Sequence, residues 1–436
     1  MGKKGKSKKQ LPKKASAQTK RHNPRRQDRF LTEKEFRARE KADRARRRAE
    51  RKEKRAASSS ALPAVFPVFG VLATGILLSV FLLLLFRPAK TFSEEENRNL
   101  AAFPEFSLNA LAEGRFTENT ETYFEDQFPL RSAFQRIRTE LGFLTGVRES
   151  NGVYYLNNGR LAEQFSEPDE TLLSSTAAAV NAFASRHPET KVSFLLVPDA
   201  GFFYQEEMPK EAENADQGAY MDRFLGSLSG GIQKLDVRDV FSEGISSGRE
   251  YYYRTDHHWT SEACLTVFRA VQEEMDYPDT PMQATVLPVS FSGSLARKSG
   301  FRLKSGDRIT LFTPAEPGFK YSVTYDDDGM SSSAFYDLEK LYGSDAYELF
   351  FSGNHSKIRI ETTADNDRTL LLIKDSYANS FLPFLLGEYR SITVIDPRYY
   401  AEKADDLMRF EPFTDVLFLY NANTLSTDTE LKNVLQ

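Results

Sequence analysis

Between Leu62 and Phe86 the chain runs for twenty-five residues without a charge. A helix of that length, at about 1.5 Å per residue, exceeds the roughly 30 Å hydrocarbon core of a bilayer. Pro63 and Pro67 sit at its entry, where missing helix amides matter least. The stretch also divides the charge. Residues 1–60 hold 24 Lys and Arg against 7 Asp and Glu, a net of +17, whereas the remainder holds 34 against 55, a net of −21. Bases before the run and the acids of Ser93-Glu-Glu-Glu96 after it place the N-terminus in the cytoplasm. A cleaved signal peptide fits less well, because the region before the run is too long and no small-x-small site follows it. The expected organisation is a basic cytoplasmic tail over 1–61, a transmembrane helix over 62–86, a juxtamembrane helical segment over 87–150 and an extracytoplasmic domain over 151–436. That describes a single-pass cell-membrane protein whose main domain is extracellular.

The tail suits topology-setting and attraction to anionic membrane lipid. Nucleic acid is not an expected partner, since only Phe30 and Phe36 interleave its bases. The single cysteine, Cys264, excludes an intramolecular disulfide and sits in an apolar helical stretch, Glu262-Ala-Cys-Leu-Thr-Val-Phe268. It reads as a buried small hydrophobe rather than a nucleophile.

Beyond residue 150 strands alternate with helices. Val153–Leu156 and Gly159–Leu161 form a hairpin pattern, and Glu170–Arg186 a helix stopped before Pro188. Lys191-Val-Ser-Phe-Leu-Leu-Val-Pro198 is continuously apolar after its lysine, as in a strand covered on both faces. A helix over Ala219–Leu228, a strand over Gln233–Val237 and a helix over Ser261–Met275 follow. Residues 280–350 are rich in Ser, Gly, Asp and Tyr and read as a β-rich antiparallel insertion. Strands then recur at Thr369–Ile373, Ser391–Ile395 and Asp415–Tyr420, with a helix over Tyr377–Leu386 interrupted by Pro383. The fold class is α/β with a mostly parallel sheet.

Chemistry concentrates at Asp256-His-His-Trp259, which holds two of the five histidines and the only tryptophan. Residues i and i+2 of an extended or turn segment project to one side, so Asp256 can orient the His258 imidazole while His257 turns away. Trp259 is a wall or a sugar platform, although a lone tryptophan is more often part of the core. The cluster lacks a nucleophile. Ser376, in Leu370-Leu-Leu-Ile-Lys-Asp-Ser376, follows a buried strand and opens a helix, where α/β proteins build their sites. Asp375 or Ser376 is equally an ordinary helix cap. A serine hydroxyl needs a base, and the base an acceptor that fixes its tautomer; Ser376, His258 and Asp256 supply that set. No metal is expected: adjacent histidine side chains diverge, and only His355 offers a further ligand. Metal-dependent phosphoesterases with an Asp-His-His string need further strand-end aspartates. Acyltransferases whose string ends in Cys are excluded by Trp259.

Assembled, these residues resemble a bacterial family named for its Asp-His-His-Trp motif, related to the SGNH-type periplasmic alginate O-acetyltransferase components. The resemblance spans residues 88–425. It is carried by Glu96-Asn-Arg-Asn-Leu100, Phe124-x-Asp-x-Phe-Pro-x-Arg131, Thr255-Asp-His-His-Trp-Thr260, Phe291-x-Gly-Ser294, Lys374-Asp-Ser376 and Asp396-Pro-Arg-Tyr-Tyr400. It implies an SGNH-hydrolase-like three-layer sandwich and a Ser376–His258–Asp256 triad. It further implies Arg398 as an anion holder and Asn421 as an oxyanion donor; Trp259 and His257 are the other substrate or oxyanion candidates. An O-acetyltransferase or acetylesterase acting on a cell-surface polysaccharide would follow, without cofactor, served by a multipass membrane-bound O-acyltransferase. The chain departs from the family at Pro198-Asp199, where a basic residue is expected, and in lacking a carbohydrate-binding domain after Gln436. The other reading is a non-catalytic glycan-binding or envelope-assembly protein that retains the fold.

Overall fold

The structure, a computed structural model, describes residues 33–59, 65–93, 98–278, 280–325, 331–332 and 334–436. They fall into two compact units, 1–86 and 87–436. In the first, Glu33–Ser59 forms an exposed helix laced by i,i+4 pairs such as Arg37–Glu33 at 2.7 Å and Arg44–Glu40 at 2.6 Å. Each such pair contributes a few tenths of a kcal/mol. Val65–Phe86 forms a second helix of 22 residues. Among the described residues, no helix is long and apolar enough to cross a membrane. The expected span from Leu62 reaches into residues outside them.

The second unit is built on one eight-stranded sheet. Its strands are β1 (Lys191–Val197), β2 (Ile232–Asp236), β3 (Tyr321–Tyr325), β4 (Ser331–Ser332), β5 (Lys357–Thr362), β6 (Thr369–Lys374), β7 (Ser391–Ile395) and β8 (Asp415–Asn421). The spatial order is β4-β3-β5-β7-β6-β8-β1-β2. From β7 to β2 neighbouring strands are parallel, and β5, β3 and β4 add antiparallel at the far edge. The α/β class with a mostly parallel sheet is thus observed.

Both faces of the sheet are covered, which is why its central strands are apolar at nearly every position. Leu195, Val197, Leu370, Leu372, Leu417 and Leu419 pack with Ala263, Cys264, Val267 and Phe268 of the helix Ser261–Met275. The alternate residues Phe194, Leu196, Leu371, Ile373, Val416 and Phe418 pack with Val180 and Phe183 of Glu170–Arg186 and with Tyr220 and Phe224 of Gln217–Ser227. Burying a side chain of this size contributes about 1.5–3 kcal/mol.

Three elements differ from the expectation. The 280–350 region is not one insertion: Met282–Phe291 pairs with Asp307–Pro314 as a separate hairpin, while β3 and β4 extend the main sheet. The helix expected over Tyr377–Leu386 is a single turn, Ala378–Phe381, followed by a 3₁₀ segment Leu382–Leu385, because Pro383 cannot donate to the helical ladder. Strand β5 was not anticipated; its buried Ile358 and Ile360 alternate with charged residues in a run too short to stand out.

Candidate active site

The carboxyl ends of β1, β6, β7 and β8 converge on one edge, and the chain leaves β6 into the turn that carries Ser376. Asp375, fully buried, pins that turn. Its Oδ1 accepts from the Tyr377 N–H at 2.9 Å and its Oδ2 from the Asn421 N–H at 2.8 Å, tying the turn to the end of β8. Burial pushes the Asp375 carboxyl up from its ordinary value, while Arg398 and the two amides oppose the rise. The structural duty of the pair thus falls to Asp375, which leaves the half-buried Ser376 hydroxyl available. The Ser376 carbonyl accepts from the Asn379 N–H at 3.1 Å and the Tyr347 hydroxyl at 3.3 Å, but its own N–H finds no acceptor among the described residues. The following helix is only four residues long and adds little dipole of its own.

The residues 251–260 fold into a tight ribbon. Tyr252 bridges to Trp259, and the Thr260 N–H donates to the Tyr251 carbonyl at 2.9 Å. Asp307 clamps the tip: its carboxylate accepts from the Arg254 N–H at 2.8 Å and the Thr255 N–H at 2.7 Å, and from the Thr255 hydroxyl. That hydroxyl in turn accepts from the Gly293 N–H at 2.8 Å. Gly293 lies so close that a Cβ there would stand 2.3 Å from the Asp256 Cβ.

Within this frame Asp256 Oδ1 lies 2.6 Å from His258 Nδ1 and accepts from the His258 N–H at 2.9 Å, while Oδ2 accepts from the Ser294 N–H at 2.7 Å. The other ring nitrogen, His258 Nε2, lies 2.9 Å from Ser376 Oγ. Burial alone would raise the Asp256 carboxyl; the attraction of His258, its hydrogen bonds and His257 outweigh it and hold the group well below 3.8. Burial first, then the neighbouring His257, pushes His258 down to about 3, against the pull of Asp256. The imidazole is therefore neutral near pH 7, the form able to accept a proton. Tyr347 stacks on it, with ring centroids 3.6 Å apart and planes 7° from parallel.

The remaining sequence candidates divide. His257 is not turned away: its Nδ1 lies 2.7 Å from Ser294 Oγ, its ring lies 3.7 Å from that of His258, and it lines a 660 Å³ cleft. The reason is that the ribbon bends at 254–258 rather than staying extended. Trp259 cannot be a sugar platform, because it is 0 % exposed, packed near Tyr377 and Phe381 with its indole N–H on the Tyr377 carbonyl at 2.8 Å. It is a wall only. Arg398 lines the cleft, its guanidinium held by both oxygens of Asp396 at 2.9 and 2.6 Å, and its side chain is 32 % exposed. Lys374, fully buried, braces Asp396 from behind at 3.2 Å. Asn421 lines the cleft too; its Oδ1 caps the helix Ala422–Thr427 and one amide hydrogen goes to the Val197 carbonyl at 3.1 Å, leaving the second.

Asp256, His257 and His258 offer donor atoms within 4.8 Å of one another, but an ion there would have to break the Asp256–His258 bond. His355 is engaged elsewhere, with the Phe351 carbonyl at 2.9 Å. Cys264 is buried and its thiol pushed up by that burial. Sequence reasoning missed Tyr347 and Asp307, which lie in irregular or polar stretches with no period to mark them. It quoted Gly293 and Ser294 without a role.

Comparison with known proteins agrees with this architecture. Residues 159–301 match the family described as an SGNH hydrolase-like domain, acetyltransferase AlgX. That span includes the Asp-His-His-Trp ribbon and ends before Ser376. A DHHW family protein from Eubacterium siraeum is 22 % identical with a TM-score of 0.56, over 65 % of this chain and 96 % of that one. Bacillus cereus PatB1, solved with a sulfonyl adduct, is 16 % identical with a TM-score of 0.55, over 65 % of this chain and 97 % of that one. The family match makes the α/β domain SGNH-like, and these two likenesses show a shared fold alone. No curated protein sequence matches.

Proposed function

We propose that this chain is a membrane-anchored, outward-facing O-acetyltransferase or acetylesterase that modifies a cell-surface glycan through Ser376, His258 and Asp256. The observation that carries the reading is the neutral His258 ring bridging a buried carboxylate at 2.6 Å and a half-buried serine hydroxyl at 2.9 Å. The match to an acetyltransferase family over the ribbon supports the acyl chemistry.

Ser376 Oγ attacks the carbonyl carbon of an acetyl ester as its proton passes to His258 Nε2. Asp256 holds the Nδ1–H tautomer and stabilises the imidazolium that forms. The tetrahedral oxyanion is met by the Ser376 N–H and the second amide hydrogen of Asn421. Collapse expels the donor alkoxide, which takes the proton back from His258 and leaves acetyl-Ser376. A sugar hydroxyl, or water, then gives its proton to His258 as it attacks the acetyl carbonyl, and collapse breaks the bond to Ser376, whose Oγ takes that proton back from His258 as the acetylated acceptor leaves. Arg398, fixed by Asp396, faces the acceptor cleft and suits an anionic group there. The acyl donor reaches this side of the membrane through a multipass membrane-bound O-acyltransferase. Anchoring by 62–86, with the basic tail inside, keeps the domain beside that partner.

The test is turnover of 4-nitrophenyl acetate by the full chain in detergent, with mass analysis after a sulfonyl fluoride. An adduct on Ser376 and loss of turnover in Ser376→Ala are expected. Turnover that survives Ser376→Ala excludes the covalent route, and a chain that neither turns over nor is labelled is the glycan-binding protein instead.

A further inference from the structure

Outside the helix Val65–Phe86, the exposed large apolar side chains gather between Phe103 and Val147. The helix Arg131–Leu144 shows the pattern at its sharpest. Leu130, Phe134, Ile137, Leu141 and Leu144 recur at alternating spacings of four and three, and are 54 to 81 % exposed. The polar face is turned inward: the Gln135 amide donates to the Lys298 carbonyl at 2.5 Å and the Thr139 hydroxyl to the Ser299 carbonyl at 2.8 Å. A helix of a water-soluble surface is arranged the other way round. A contiguous exposed apolar patch marks an interaction face.

Charge identifies what covers it. Residues 131–148 hold Arg131, Arg136, Arg138 and Arg148 against Glu140 alone, a net of +3 within a part of the chain that carries −21. Arg136 and Arg138 flank Ile137, are exposed, and have no carboxylate partner among the described residues. Arginines that flank an apolar stripe and carry heads without a carboxylate match a phospholipid interface, with acyl chains below and phosphates at the rim. A second copy of the same helix would set these arginines near their own kind.

We infer that the Leu130–Leu144 face lies in the surface of an anionic phospholipid bilayer, apolar stripe inward and Arg136 and Arg138 at the phosphates. The face has a consequence for the reaction proposed above, and only this consequence rests on that reading. The helix backs onto Ser294–Ser299, whose first N–H holds Asp256 Oδ2 at 2.7 Å. Seating it in lipid therefore places the cleft lined by His257, Ser294 and Arg398 one helix from the headgroups, so the acyl donor and acceptor are met at the membrane surface rather than out in the polymer layer.

The full chain with Cys264→Ala is reconstituted in vesicles of equal parts phosphatidylcholine and phosphatidylglycerol, carrying one nitroxide at Ile137→Cys, Leu144→Cys or Tyr342→Cys. Oxygen, which concentrates in lipid, is expected to relax the labels at 137 and 144 several-fold more than a water-soluble nickel chelate does. The order reverses at 342. Arg136→Glu with Arg138→Glu moves the 137 label toward the aqueous value. Labels at 137 and 144 that favour nickel while the chain stays with the vesicles overturn the inference and leave the anchor standing. Labels shielded from both relaxants, with spin–spin broadening, assign the face to a second copy and overturn it too. A chain that does not enter the vesicles removes both the anchor and the lipid face, whatever its esterase activity.

Discussion

The Tyr347 ring lies flat on His258, 3.6 Å between centroids, while its one hydroxyl proton is shared between Ser380 Oγ at 3.0 Å and the Ser376 carbonyl at 3.3 Å. One side chain therefore fixes the imidazole plane and the serine turn together. An aromatic pair of this kind contributes about 0.5–1.5 kcal/mol. Tyr347→Phe keeps the stack and is expected to hold kcat within about threefold, whereas Tyr347→Ala frees the ring and lowers kcat by roughly tenfold, 1.4 kcal/mol being one decade. Steady-state kinetics on 4-nitrophenyl acetate read both. Equal losses in the two variants would show that the hydroxyl, not the stack, does the positioning.

Asp256→Asn removes the charge but keeps the shape. An amide can present its N–H to Nδ1, which stabilises the tautomer with its proton on Nε2, the wrong one for accepting from Ser376. A fall in kcat of roughly 10⁴ is expected, by analogy with triads of this type. The melting temperature should fall as well, since the Ser294 N–H and His258 lose a charged acceptor. A variant with kcat near that of the parent would remove Asp256 from the mechanism.

Activity and stability both fall with acid, but over different pH windows. Catalysis needs neutral His258, and burial with His257 lowers its pKa from 6.5 to about 3. The acid limb of kcat/KM should therefore lie well below pH 6.5. Stability begins to fall at higher pH. Between the two values the unfolded chain binds a proton that the folded chain refuses, so the melting temperature should fall as the pH drops from 6.5 toward 3. An acid limb centred at 6.5 would mean that the ring is solvated in the working enzyme.

The sequence showed the sheet more clearly than the site. Strands covered on both faces, such as Lys191–Val197 and Thr369–Lys374, are apolar at almost every position, and period and length mark them without help from tertiary context. The pairing of Asp256 with His258 followed from spacing, and the meeting with Ser376 from its place after a buried strand together with the family resemblance. The second rank of residues did not follow. Tyr347 arrives from a 3₁₀ turn, Ala346–Leu349, and Asp307 from the start of a hairpin strand, so neither carries a periodic signal. Of the roles open to Trp259 the buried wall stands and the sugar platform falls, because burial is decided by the packing of Phe241, Tyr377 and Phe381 around it, all distant in sequence.

Gly293 tests whether this second rank controls the first. Its place in the ribbon is set by approach, since any Cβ would meet the Asp256 Cα at 2.6 Å and Cβ at 2.3 Å, and a backbone atom cannot swing aside. Gly293→Ala must therefore shift either the Gly293-Ser294 turn or Asp256 itself. Overpacking of this kind costs about 1–3 kcal/mol. The shift also draws the Ser294 N–H off Asp256 Oδ2, now at 2.7 Å, and so loosens the acid that orients His258. The expected outcome is a melting temperature lowered by several degrees together with a kcat loss of about 10² at 25 °C, well inside the folded range, because a misplacement near 1 Å costs that much. Ser292→Ala, one residue away and outside these contacts, should change neither. A Gly293→Ala chain that melts lower yet keeps its kcat would show that the Ser294 amide is structural and that Asp256 is positioned by the ribbon alone.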